Sequence, residues 1–378
     1  LLFILFLLAT AYQFLFLLVI FPRAKKATSL PNTSQKPTHS APVSIILCFR
    51  NEVGRLRKYL PLLLNQDYAN FEVLAINDHS TDGSSDAVTE LLPRYPHLRL
   101  LTPPKPTRPG KKDALSFGIA QAQYDIFLLT DADCAPASNQ WLKLMTLSMR
   151  SLSIGHQSPI NLVLGFSPYR YASGWVNSFQ RFETLYTAFQ YIGLAKMGKP
   201  YMGVGRNLAY QRSFFEAADG FASHVYLAGG DDDLLISHHA KARRTAVCIV
   251  PSAWTWSEPA TGLKDYLRRK FRHLSVGGHY PWLIKLILAG LAISHVSHYF
   301  LATTLLLVGD YYAAAISCVF LRWVAILFIY RTSLYPIGTQ KSQATHYHMD
   351  NRAFLFSYPR LIINDILLVI YFHPPLAR

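Results

Sequence analysis

The sequence predicts an α/β domain, a mixed and mostly parallel sheet flanked by helices, with transmembrane helices at both ends. Three observations carry this expectation. Between residues 42 and 150, short apolar runs alternate with helix-length stretches, the pattern of βαβ units. Two of those runs stop abruptly on acids: FEVLAIN at Asp78 and IFLLT at Asp131 and Asp133. Long apolar stretches with almost no charge lie on either side of the domain.

Taken in order, residues 1–21 carry no charge and would span about 30 Å as a helix, enough for a hydrocarbon core. They read as a transmembrane anchor. A cleaved signal peptide fits less well, because no small-x-small site follows and the basic Arg23, Lys25 and Lys26 come after the apolar run. Those cations place residue 22 onward on the cytoplasmic face of the membrane. Residues 22–41, rich in Pro, Ser and Thr, form a linker. The expected strands are VSIILCF (43–49), FEVLAIN (71–77), LRLLT (98–102) and IFLLT (126–130), with helices to about Asn65, near 84–92, near 112–122 and near 139–150. Further on, 161–171 and 246–256 read as strands and 174–196 as a long helix, closing a domain over 42–280. Two apolar stretches, 282–308 and 311–330, turn at Gly309-Asp310 and form a transmembrane hairpin within 281–330. The segment 331–378 contains another apolar stretch, 353–372, interrupted by Arg360, Asn364 and Asp365, which spans, re-enters or lies in the interface.

A formal charge of +15 suits anionic lipid or an anionic small molecule. Nothing resembles a nucleic-acid module, since no basic run is interleaved with aromatics. The four cysteines, Cys48, Cys134, Cys248 and Cys318, form no C-x-x-C pair, which suits a reducing compartment and small buried side chains. The histidines, including His238-His239, His346 and His348, show no ligand spacing.

The acids carry the chemistry. In extended backbone, residues i and i+2 share a face, so Asp131 and Asp133 are expected to address one cation. In an open parallel sheet, ligands bind beyond the carboxyl ends of the strands, so Asp78 should face the same crevice. GGDDDLL (229–235) opens a helix with three acids, which either complement the helix dipole or raise one another's pKa toward that of a useful base. Asn51 either meets a ligand or caps a helix, and Asp82-Gly83 builds a turn. Lys111 and Lys112 either neutralise phosphates or begin a solvated helix.

Taken together, these segments resemble the membrane-anchored family 2 glycosyltransferases of GT-A (Rossmann-like) fold, such as the cellulose, hyaluronan and poly-N-acetylglucosamine synthases. The resemblance covers about residues 42–280. VSIILCFRNE is similar to the first strand with its N-E pair, NDHSTDGS to D-D-G-S-T-D-G, GKKDAL to Gly-Lys-x-x-Ala-Leu, TDAD to D-x-D and GGDDDLL to G-[E/D]-D. The resemblance implies that Asn51, Glu52, Asp78, Lys111, Lys112, Asp131 and Arg269 bind a nucleotide sugar, and that Asp133 with Asp131 holds Mg²⁺ or Mn²⁺. It implies that Asp232, preceded by Asp231, is the catalytic base, and that Gly203 and Gly205 of PYMGVGRNLAYQR lie beside the acceptor. In place of Q-x-x-R-W the chain has Arg269, Arg272 and His273. Arg272 keeps the family's arginine and its diphosphate contact, but two of three positions depart, which puts processive synthesis in doubt. The same stretch also reads as a basic amphipathic helix on anionic lipid.

The implied function is an inverting, metal-dependent transfer of a sugar from a UDP-linked donor to a hydroxyl of a glycan or lipid-linked acceptor, by an integral membrane protein with a cytoplasmic catalytic domain. Two alternatives stand beside polymer synthesis: single addition to a lipid, and a catalytically silent nucleotide-binding scaffold.

Overall fold

The computed structural model describes residues 1–25, 41–105, 108–150 and 159–334. Most of the 22–41 linker and the 353–372 stretch lie outside them. The described residues gather into two compact units: 41–170 with 198–259, and the N-terminal helix with 171–197 and 260–334.

The first unit is built on seven strands. They are β1 (Val43–Phe49), β2 (Phe71–Asn77), β3 (Leu98–Leu101), β4 (Ile126–Asp131), β6 (Leu162–Leu164), β7 (Leu208–Gln211) and β8 (Thr245–Val247), in the order β3-β2-β1-β4-β7-β6-β8. Strands β3, β2, β1 and β4 run parallel. Strand β7 is antiparallel to β4 and β6, and β8 returns parallel to β6. The sheet is therefore mixed, with a parallel half. That half is buried on both faces, which is why VSIILCF and FEVLAIN are apolar throughout rather than alternating.

One face (Val43, Ile45, Leu47, Val73, Ala75, Leu128) packs with Leu56, Leu60 and Leu63 of α3 (Val53–Leu64) and with Trp141, Leu142 and Met145 of α6 (Trp141–Arg150). On the other face lies α5 (Lys112–Gln121). Its Gly118 comes so near Ile46 and Ile76 that a Cβ would sit 3.0–3.1 Å from their side chains, so the close helix–sheet contact depends on this glycine. The short α4 (Ser84–Thr89), α8 (Arg212–Ala217) and α9 (Asp233–His239) complete the unit, with a two-stranded ribbon of β5 (Cys134–Pro136) and β9 (Thr255–Ser257).

Two expected strands are shorter than the sequence suggests. Of 161–171 only Leu162–Leu164 is strand; at the next residue, Gly165, a Cβ would meet Asn207 at 2.5 Å, an approach that only glycine allows. The stretch 246–256 is two strand ends, β8 and β9, separated by a 3₁₀ turn at Pro251–Ala253.

Asn207 ties this region together. Its buried amide accepts from Trp141 Nε1 at 2.9 Å and donates to the carbonyls of Phe166 and Ala253, each at 2.8 Å. Asn207→Ala strands three buried polar groups at about 1–3 kcal/mol each. The thermal midpoint of the solubilised protein is expected to fall by several degrees, measured by scanning fluorimetry; an unchanged midpoint contradicts this role.

In the second unit, α1 (Leu2–Leu15) passes through a π-turn at Phe16–Ile20 into α2 (Phe21–Lys25), and α11 (Trp282–Val308) and α12 (Tyr312–Leu334) form a hairpin around Gly309. Leu2–Ala24, Trp282–Val308 and Tyr312–Ile329 are each long and apolar enough to cross a membrane. Gln13 of α1 links all three: its amide donates to Leu291 and Ser294 of α11 and accepts from Arg322 of α12. Long α7 (Trp175–Lys196) and amphipathic α10 (Leu263–Leu274) belong to the same unit, joined where Tyr266 and Lys270 bond Glu183.

Candidate active site

The parallel half of the sheet sets the site's position. Asp131 ends β4 opposite Cys48 of β1, and Phe49 at the end of β1 lies opposite Asn77 at the end of β2, whose next residue is Asp78. Asp78 donates its backbone N–H to the Phe49 carbonyl at 2.8 Å. The acidic tips of β2 and β4 therefore flank the end of β1, as expected for a ligand crevice at the carboxyl edge.

The expectation for Asp131 and Asp133 needs correcting. The strand ends at Asp131, and Ala132 and Asp133 form a turn before β5, so the two acids are not on one extended face. They take different partners. Asp131 pairs with Lys111 Nζ at 3.0 Å, whereas Asp133 accepts a long contact from the Ser257 hydroxyl (3.4 Å) and a weak donor, the Cys134 thiol, at 3.2 Å.

Lys111 is the hub. Besides Asp131 it pairs with Asp231 at 3.1 Å, joining the end of β4 to the loop before α9. Gly110 lets it get there. Its φ is +86°, and a Cβ would meet the Ala228 carbonyl at 2.3 Å, so only glycine brings the 110 turn this close. The neighbouring lysine does a different job. Lys112 is buried, and its ammonium donates to the carbonyls of Leu227 and Gly229, bracing the loop that presents the acids. Burial lowers its pKa.

Asp232 caps α9, accepting from Asp233 N–H at 2.8 Å, and its second oxygen accepts from Gly205 N–H at 2.7 Å. Capping and a place in the acid cluster are thus compatible. Burial, and then the charge of Asp231, push its carboxyl up to about 6, with Lys111 and the two N–H donors opposing. Burial also acts to raise Asp231, but Lys111 and then Lys112 outweigh it and hold that acid below its usual range. The pair is split in the manner expected of one proton-handling carboxyl and one permanent anion. Lys111 itself is held well above its usual pKa, because Asp131, Asp231 and Asp232 overcome the effect of burial. A Cβ at Gly205 would come within 3.5 Å of Asp231, Asp232 and Lys111, while one at Gly203 would strike Ile236 of α9.

Asn51 does not cap α3. With φ of +57° its side-chain oxygen accepts from Thr81 N–H at 2.8 Å, and Asp82 reaches across to cap α3 at Val53 N–H, 3.2 Å away. Hydrogen bonds from Ser84 and from the backbone hold the Asp82 carboxyl below its usual range. Glu52 pairs with Arg55 at 2.6 Å, and burial raises its pKa. These bonds lock the β1–α3 loop to the β2–α4 loop, which fixes where Asp78 stands.

Arg269, Arg272 and His273 lie on α10, in the other unit, where Arg269 pairs with Asp265 at 3.0 Å. The sequence reading passed over Arg206, beside Gly205, and Ser257, both close to Asp133 or its partners. The signal available for Arg206 was its place in the quoted glycine segment.

As for a divalent cation, Asp133 offers hard oxygens whose contacts are a distant hydroxyl and a weakly donating thiol, and Asp131 is one turn residue away. Among the described residues no three His, Cys, Asp or Glu side chains gather to hold a metal by themselves. That suits Mg²⁺ or Mn²⁺, which bind through one or two carboxylates and complete their shell with phosphate and water.

Known proteins resemble this chain in both sequence and fold. The model for glycosyl transferase family 2 matches residues 44–217, from β1 through α8. Over residues 44–217 the chain is thus similar to the family 2 glycosyltransferases. It is 25% identical over 251 residues to the probable glycosyltransferase YdaM of Bacillus subtilis, covering 65% of this chain and 57% of that protein. It is 33% identical over 110 residues to a beta-monoglucosyldiacylglycerol synthase of Nostoc sp., covering 29% of this chain and 24% of that one. The chain thus spans less than two thirds of the length of these relatives. Mannosyltransferase PcManGT of Pyrobaculum calidifontis, solved with GDP-Man and Mn²⁺, superposes on this chain with a TM-score of 0.57 at 20% identity, covering 96% of this chain and 99% of that one, which shows a shared GT-A-like fold.

Proposed function

We propose that the protein transfers a sugar from a nucleoside diphosphate sugar to a hydroxyl acceptor at a membrane surface, with Asp232 as the base. The observation that carries this is the Asp232 carboxyl, pushed up to about 6 and held by Gly205 N–H in a cluster bridged by Lys111 to the end of β4. A base in this range takes a proton from an attacking hydroxyl near neutral pH while remaining ionised between turnovers. Gly205 N–H and the α9 cap orient the carboxylate, and Asp231, kept anionic by Lys111, stabilises the proton once Asp232 has taken it. Asp78 stands where the base of the nucleotide would lie. Asp133 with Asp131 would hold Mg²⁺ or Mn²⁺, which in its bound form offsets the charge of the departing diphosphate. The neighbouring structure with GDP-Man and Mn²⁺ supports that class of donor and metal. Inversion at the anomeric carbon follows from direct attack by the activated hydroxyl.

A lipid-linked acceptor and single addition fit better than processive polymerisation. The apolar helices, the beta-monoglucosyldiacylglycerol synthase relative and the Arg269 and His273 departures from Q-x-x-R-W favour this version.

The test is to incubate membranes holding the protein with labelled UDP- and GDP-sugars and Mn²⁺, then resolve lipid-extractable products. A single labelled adduct is expected, and a ladder would indicate a polymerase. Asp133→Ala is expected to cut transfer at least ~100-fold by removing the cation's ligand. Transfer at the wild-type rate in this variant contradicts the assigned role, and nucleotide binding without transfer from any donor would favour a silent scaffold.

A further inference from the structure

We propose that Arg206 is a phosphate-binding residue of the donor site, its guanidinium receiving oxygens of the nucleoside diphosphate. This rests on the nucleotide-sugar reading above and adds to it a residue that neither the motifs nor the comparisons single out.

The geometry places Arg206 between the base and the metal acids. Its chain neighbour, Gly205, holds Asp232. Its own carbonyl accepts from the Thr255 hydroxyl of β9 at 2.9 Å. Two residues along β9, Ser257 contacts Asp133 and bridges to Tyr169 through its backbone. The Arg206 guanidinium lies 4.6 Å from the centre of the Tyr169 ring. One short strand therefore sets the backbone of Arg206, the ring on which it rests and the Asp133 carboxylate.

The guanidinium has five N–H donors in a planar fork. Among the described residues its one hydrogen bond is a long contact, 3.4 Å, to the Ser167 carbonyl. Burial lowers its proton affinity, but Tyr169, Cys134, Asp133 and Asp131 together raise it, so the cation is permanent. A guanidinium stacked on an aromatic ring, with donors to spare and two carboxylates in its field, is built for bidentate recognition of a phosphate. If its task were only to neutralise Asp133, the aromatic platform and the spare donors would be unnecessary.

The experiment is calorimetric titration of the full chain in detergent with Mn²⁺, using uridine, UMP and UDP and the matching guanosine series. Wild-type protein is expected to bind one diphosphate more tightly than its nucleoside. Arg206→Gln is expected to weaken that diphosphate about 10- to 100-fold while leaving the nucleoside affinity unchanged. Arg206→Lys, which keeps the charge and loses the fork, is expected to fall between them, and it carries the test if the glutamine variant does not fold. An unchanged ratio of diphosphate to nucleoside affinity overturns the proposal. So does equal weakening of every ligand, which marks a structural residue, or a rise in acceptor KM with diphosphate binding intact, which assigns the phosphate to the acceptor. Wild-type protein that binds no diphosphate at all refutes the nucleotide-sugar reading itself.

Discussion

Asp232→Asn is expected to lower kcat for sugar transfer by about 10²- to 10⁴-fold, the usual contribution of a positioned general base, with donor KM within a few-fold of wild type. The amide keeps the size of the side chain, but its single oxygen can accept from only one of the Gly205 and Asp233 N–H groups, so a modest structural cost accompanies the chemical loss. The same substitution has a much smaller expected effect on stability. A carboxyl raised above its unfolded value favours folding most at pH below about 4, and that contribution is lost as the pH climbs through about 6. At pH 7.5 the ionised Asp232 beside Asp231 opposes folding, so relief of that repulsion offsets the lost N–H acceptor and the asparagine variant should unfold close to the wild-type temperature while being nearly inactive. A variant that is both inactive and strongly destabilised would show that Asp232 is needed for the fold first.

Lys111→Met is the second large effect. It removes the one side chain that pairs with both Asp131 and Asp231, leaving two clustered carboxylates without their cation. Breaking a buried ion pair from one side costs about 3–5 kcal/mol, and partial exposure of Lys111 argues for the lower end. The variant should also bind protons differently. Lys111 lowers both Asp231 and Asp232, so without it both carboxyls titrate at higher pH. Its stability should therefore rise as the pH is lowered toward 5, where the unpaired acids protonate. Denaturation curves at pH 5 and 8 separate this from loss of packing, which would destabilise the protein equally at both.

Much of the fold was legible because the parallel strands are buried on both faces and so appear as uninterrupted apolar runs; β1, β2 and β4 fall within a residue or so of where the sequence placed them. The long helix at 175–196 and the hairpin around Gly309 were legible for the same reason, length and apolarity. The second half of the sheet was not. Its strands are three or four residues long, too short for an apolar run to mark their ends.

Within the site, local spacing identified the residue types, and tertiary contacts decided what each one does. Asp131 and Asp133 were expected on one extended face, but the turn at Ala132 sends one to Lys111 and the other to Ser257. Lys111 and Lys112 look alike in sequence, yet one joins the acids and the other is buried against carbonyls more than a hundred residues away. The cap of α3 comes from Asp82, 29 residues beyond Val53, which no local pattern announces. Arg206 needed β9 and Tyr169 in place before it could be noticed.

The most direct test of the central claim is the pH dependence of kcat/KM for sugar transfer, measured in parallel on wild type and Lys111→Met. If Asp232 is the base within the field of Lys111, wild-type activity falls on the acid side with an apparent pKa of about 6, and the limb moves to higher pH in the variant. An acid limb absent between pH 5 and 7 in wild type, or one that stays fixed when Lys111 is removed, would contradict the account.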